Sequence, residues 1–113
     1  MKYNLYALLV IILAVSCENS DILPDLPECV QNLIDVIKDE PVRNPPVMVW
    51  EWNTDDTTYY YITSDCCDQF NYLYTTNCEI VCAPDGGITG AGDGKCPEFR
   101  DIEKTLVWED KRD

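Results

Sequence analysis

Val47-Met48-Val49-Trp50-Glu51-Trp52 and Thr57-Thr58-Tyr59-Tyr60-Tyr61-Ile62-Thr63, joined by Asn53-Thr54-Asp55-Asp56, decide the fold class. Both runs are β-branched and aromatic, and the four residues between them are turn formers, so the stretch predicts a β-hairpin. Apolar residues fall on both faces of each strand. Such a hairpin is covered on both sides, or else leaves an aromatic patch exposed on one of them. Downstream, Asn71–Tyr74 and Glu79–Ala83 flank the turn Thr75-Thr76-Asn77 and predict a second pair, and Thr105–Trp108 offers a last strand before the charged end at 109–113.

Upstream of the hairpin the apolar period changes. Leu26, Val30, Leu33, Ile34 and Ile37 recur at helical spacing, leaving Gln31, Asp35 and Lys38 for solvent. Asp25, with Glu28 three residues later and Pro27 in the first turn, predicts a capping box at the helix start. Glu40-Pro41 and Asn44-Pro45-Pro46 end the helix. The expected architecture is a small disulfide-stapled α+β domain over residues 25–113, with one N-terminal helix packed on an antiparallel β-meander of about four or five strands.

Residues 1–16 have the form of a signal peptide: Lys2 near the start, an apolar stretch from Leu5 to Val15, then small residues. The apolar stretch falls well short of the roughly 20 residues needed to span a bilayer. Ala14-Val15-Ser16-Cys17 resembles the bacterial lipobox, with Ser16 as the small residue before cysteine and Ala14 where leucine is more usual. The resemblance implies lipidation of Cys17, with residues 17–24 as a lipidated tether, and places the exported protein on the bacterial outer membrane or cell surface. Ordinary cleavage after Ser16 is the alternative, and it leaves seven cysteines, one of them unpaired.

The chain has 8 basic and 21 acidic residues and a net charge of −13; loss of the single positive charge of Lys2 with the signal takes this to −14. Such a surface repels nucleic acid and anionic headgroups and favours cations or basic proteins, besides keeping an exported protein soluble. The expected partners are the membrane, through the lipid anchor, and a protein or glycan ligand.

Apart from Cys17 there is an even set of cysteines: Cys29, Cys66, Cys67, Cys78, Cys82 and Cys96. In an exported chain without histidine these are expected to form disulfides rather than a thiolate metal site. Sequence does not choose among their many possible pairings. Adjacent Cys66 and Cys67 point in opposite directions on extended chain, so each is expected to bond a different neighbour.

All five glycines lie in Asp85-Gly86-Gly87-Ile88-Thr89-Gly90-Ala91-Gly92-Asp93-Gly94-Lys95-Cys96. This density permits positive φ and close approach of backbone to a ligand or another strand. The stretch is neither a phosphate loop, since Cys96 follows Gly94-Lys95, nor a dinucleotide fingerprint, since Lys95 stands where the third glycine belongs. The candidate binding residues are Asp85, Gly86, Gly87, Thr89, Gly90, Gly92, Asp93, Gly94 and Lys95, with Asp85 and Asp93 as oxygen ligands should calcium bind. The bland reading is a disulfide-pinned Ω-loop with solvated aspartates. No other cofactor is expected. Without histidine there is no Ser-His or Cys-His machinery, so no residue is assigned catalysis and the chain is not expected to be an enzyme.

Residues 81–89 also resemble Kazal protease inhibitors in Val81-Cys82, Asp85-Gly86 and Thr89. Ala83 replaces that family's glycine, Gly87 is an added residue and Cys96 comes later, so no reactive bond is transferred. Over nearly the whole chain after the signal, the lipobox, the early Pro-x-Cys helix, the aromatic hairpin, Asp65-Cys66-Cys67-Asp68 and Cys82-Ala83-Pro84 before the glycine loop resemble small flavobacterial-type (Bacteroidota) lipoproteins with an uncharacterised domain of unknown function. That resemblance implies an address and an architecture. The expected function is a membrane-anchored binding or interaction module, with a Kazal-like inhibitor and a calcium-binding secreted domain as alternatives.

Overall fold

A computed structural model describes residues 25–113. The expectations for the signal peptide, Cys17 and the tether lie outside the described residues. Helix α1 (Glu28–Asp39) is followed by strands β1 (Met48–Asn53), β2 (Thr58–Ile62), β3 (Phe70–Tyr74), β4 (Ile80–Gly86) and β5 (Glu103–Glu109). The strands form one antiparallel sheet in the order β4-β3-β2-β1-β5. The first four make a meander, and the chain then crosses back so that β5 pairs with the far side of β1. The expected α+β architecture is the one observed. Among the described residues no helix is long and apolar enough to cross a membrane.

The helix forms where the apolar period changes, but its start differs from the expected capping box. Pro27, not Asp25, occupies the N-cap position and provides no side-chain cap. Its carbonyl accepts from the N–H groups of Val30 and Gln31, while the Gln31 Nε2 donates to the carbonyl of Leu26 at 2.7 Å. With φ fixed by its ring and ψ extended at 144°, Pro27 turns the chain into the helix at Glu28, too late for Asp25 to reach the first-turn donors.

Both faces of the sheet are covered, by different means. On one side Leu26, Val30, Ile34 and Ile37 of the helical segment pack against Val47, Val49, Tyr60, Ile62 and Trp108. Burial of each large aliphatic side chain contributes about 1.5–3 kcal/mol, which makes this the principal core. On the other side Trp52, Leu73 and Cys82 are buried beneath the crossing segment, whose Cys96, Phe99 and Ile102 pack onto them. Trp52 stacks on Tyr61 with ring centroids 5.3 Å apart, Phe99 meets Trp52 and Tyr59 edge-on, and the Lys104 ammonium lies 4.2 Å over the Trp52 ring.

Turn chemistry sets the register. Thr54 and Thr57 close the first hairpin through backbone and hydroxyl bonds. In the second hairpin the Thr75 hydroxyl accepts from the N–H groups of Asn77 and Glu79. Strand β4 runs past the expected end at Ala83 and includes Pro84; on an edge strand the missing donor costs no ladder bond when that side faces outward.

The cysteines pair as Cys29–Cys78, Cys66–Cys67 and Cys82–Cys96. The first ties α1 to the β3–β4 turn and the third closes the glycine loop onto β4. The expectation that Cys66 and Cys67 bond different neighbours is not met, because the other four cysteines of the described residues pair among themselves and leave these two against each other. The chain from Asp65 to Gln69 bends instead of running extended, and Cys67 has a φ of 142°, so the two side chains turn toward one another.

Candidate functional site

The glycine loop is built as a rigid projection at the end of β4. Gly86 and Gly87 follow Asp85, and the Gly87 N–H donates to the carbonyl of Gln69, extending the β3–β4 contact into the loop. The Gly90 N–H donates to the Gly87 carbonyl at 3.1 Å, closing a turn with Ile88 and Thr89 at its tip. Behind the tip, the Gly86 N–H donates to Gly90, the Gly92 N–H donates to Gly86, and the Asp93 N–H donates to Ala83. Backbone that would otherwise be free to reach a ligand is thus spent on the loop's own closure.

At two glycines, backbone of the sheet occupies the place of a Cβ, so space as well as conformation requires them. Gly92 has φ +77°, and a Cβ there would run into the Ala83 carbonyl oxygen and the Pro84 backbone. Gly86, at φ +85°, lies against the Gln69 carbonyl and the Asn71 nitrogen, the latter 2.8 Å from where a Cβ would sit. The close approach allowed by the glycine density is therefore loop against sheet.

Asp85 faces inward on this frame. Its carboxylate accepts from the Tyr61 hydroxyl at 2.7 and 2.9 Å and from Asn71 Nδ2 at 2.8 Å. Burial pushes the Tyr61 phenol up, and the hydrogen bond to Asp85 adds to the shift. The Asp93 carboxylate accepts from the Lys95 backbone N–H at 2.9 Å, and the Thr89 hydroxyl from the Ala91 N–H. Thr89, Gly90, Gly94 and Lys95 are exposed. Among the described residues no three Cys, Asp or Glu side chains gather in a way that could hold a metal ion.

At the tip stands a residue outside the sequence-based set. Ile88 is 90% exposed, more than Val36, Ile80 or Leu106, the other exposed large apolar residues. Its signal in the sequence is that it is the one large apolar side chain between Asp85 and Cys96. Elsewhere on the surface, a shallow depression lined by Pro27, Glu28, Cys29, Asn32, Thr76 and Asn77 lies beside the Cys29–Cys78 bond.

Residues 35–110 match the family described as Domain of unknown function (DUF6970). No curated protein and no solved structure matches the chain. The matched stretch begins within α1, takes in all five strands, the Cys66–Cys67 pair and the glycine loop, and ends at the buried Asp110. Since it spans well over half of the 113 residues, the chain belongs to the DUF6970 family.

Proposed function

We propose that the protein is an exported, lipid-anchored interaction module of the bacterial envelope, held by Cys17 and presenting Ile88 on the disulfide-closed glycine loop to a protein partner. The observation that carries the binding role is the 90% exposure of Ile88 at the tip of a loop whose backbone is already bonded to itself. A single exposed apolar residue on a slack loop is ordinary. On a pre-ordered loop the entropy of immobilisation is largely spent at folding, so its apolar surface is available to binding. A side chain without a polar group suits an apolar pocket on a protein better than a glycan. The acidic surface favours a basic rim around that pocket. The anchor rests on Ala14-Val15-Ser16-Cys17 and on the even number of cysteines that remain. A tip closed as a tight turn lends no support to a protease inhibitor, which must offer extended chain to a protease cleft.

The test uses the full chain on its native membrane with a photoactivatable residue at position 88 and, as a control, at exposed Val36 of α1. A discrete adduct at position 88 alone is expected. Equal labelling at both positions, or none, removes the docking role. Cys17→Ser is expected to release the protein from the membrane fraction; retention of the variant would remove the anchor.

A further inference from the structure

The Cys66–Cys67 pair differs from the other two disulfides in position and in consequence. Cys29–Cys78 and Cys82–Cys96 link residues 49 and 14 apart, and so close loops of chain. Cys66 and Cys67 are left against each other as chain neighbours, and a bond between neighbours closes no loop, so it brings none of the stabilisation that comes from restricting the unfolded chain. Both residues are exposed, whereas Cys82 is fully buried and Cys29, Cys78 and Cys96 are partly buried. The segment that carries them is held without them. Ser64 donates its backbone N–H to Asn71 Oδ1 at 2.8 Å and its hydroxyl to the Phe70 carbonyl, and the Gln69 carbonyl accepts from Gly87. Opening the pair therefore detaches no element from the fold.

We infer that Cys66-Cys67 is a redox-active site, a vicinal disulfide that an exported dithiol protein reduces reversibly to a vicinal dithiol. The thiolate of the reductant attacks one sulfur, the Cys66–Cys67 bond breaks, and a mixed disulfide forms while the other sulfur leaves and takes up a proton. The second thiolate of the reductant then attacks the mixed disulfide. The reductant departs as a disulfide, and the released sulfur takes up the second proton. The reduced pair presents two adjacent thiols able to chelate a thiophilic centre such as trivalent arsenic.

The experiment exposes the native full chain to increasing dithiothreitol, blocks free thiols by alkylation and maps the modified cysteines. Cys66 and Cys67 are expected to open at about tenfold lower reductant than the other four cysteines, with no change in thermal midpoint, and to close again on reoxidation. The opened protein is expected to bind one phenylarsine oxide, and Cys66→Ser/Cys67→Ser to bind none while melting like the parent. A purified thioredoxin-type protein lacking its resolving cysteine should form a 1:1 mixed disulfide at Cys66 or Cys67. Alkylation of the pair without reductant, simultaneous opening of all three bonds, a fall in the midpoint when only this pair opens, or failure of the mixed disulfide would each overturn the inference.

Discussion

Tyr60, Tyr61 and Tyr74 lie on neighbouring strands, and each phenol is held protonated chiefly by burial. For Tyr60 the nearby Glu51 carboxylate adds to the effect, and the phenol is pushed up from 10.0 to about 12. A group whose folded value is raised supports the native state fully below its unfolded value, and that support is lost as pH climbs through the folded value. Resistance to urea is therefore expected to fall between pH 10 and about 12. Phenolate absorbance should rise late for these residues, and Tyr60→Phe should make the fall shallower. Ordinary titration of Tyr60, Tyr61 and Tyr74 would contradict this account. The positions of Tyr59, Tyr60 and Tyr61 in a strand were legible from residue type. Their partners were not, since Asp85 lies 24 residues from Tyr61 and meets it only because β3 and β4 carry it across the sheet.

Among elements, the glycine loop shows how far a local pattern reaches. Five glycines in one stretch announce positive φ, and all five adopt it. Which of them also need the missing side chain depends on what lies opposite. Gly92 faces the backbone of Ala83 and Pro84, while Gly90 has nothing near the place of a Cβ. Gly90→Ala should cost only the left-handed backbone penalty of about 1–2 kcal/mol. Gly92→Ala adds a backbone clash and should cost more, read as a larger drop in urea midpoint; equal costs would mean that the contact with Ala83 does not constrain the loop. The helix gives the complementary case. Its apolar stripe fixed the buried face in advance, with Val30, Ile34 and Ile37 inward. Its start was set by Pro27, because cap geometry depends on the path by which the chain arrives.

At the scale of the whole molecule, the C-terminal residues fasten the sheet to the helix. Asp110 is 2% exposed, and its backbone N–H donates to Val47. Arg112 donates from Nε and Nη2 to the Asp110 carboxylate at 2.9 and 2.8 Å, and its guanidinium also reaches the carbonyls of Ile37, Lys38 and Glu40, the open end of α1. Hydrogen bonds from Arg112 outweigh burial and hold the Asp110 carboxyl below its ordinary 3.8. A depressed carboxylate supports the fold fully above its unfolded value and loses that support as pH falls through the folded one. Acid should therefore loosen the clasp only below about pH 3.8. Asp110→Asn and Arg112→Ala are each expected to lower the thermal midpoint at neutral pH and to flatten the acid limb of urea midpoints against pH. Parent-like midpoints would show that the clasp is incidental. By itself the sequence determined the α+β class, the helix stripe and the strand order along the chain, because apolar periodicity and turn chemistry act over a few residues. Only the tertiary structure decided the disulfide pairing, the covering of the second face by Phe99 and Ile102, the inward turn of Asp85 and the Asp110–Arg112 clasp. Each of these joins residues brought together by sheet register or by the return of β5 to β1, and such proximity leaves no local trace in the chain.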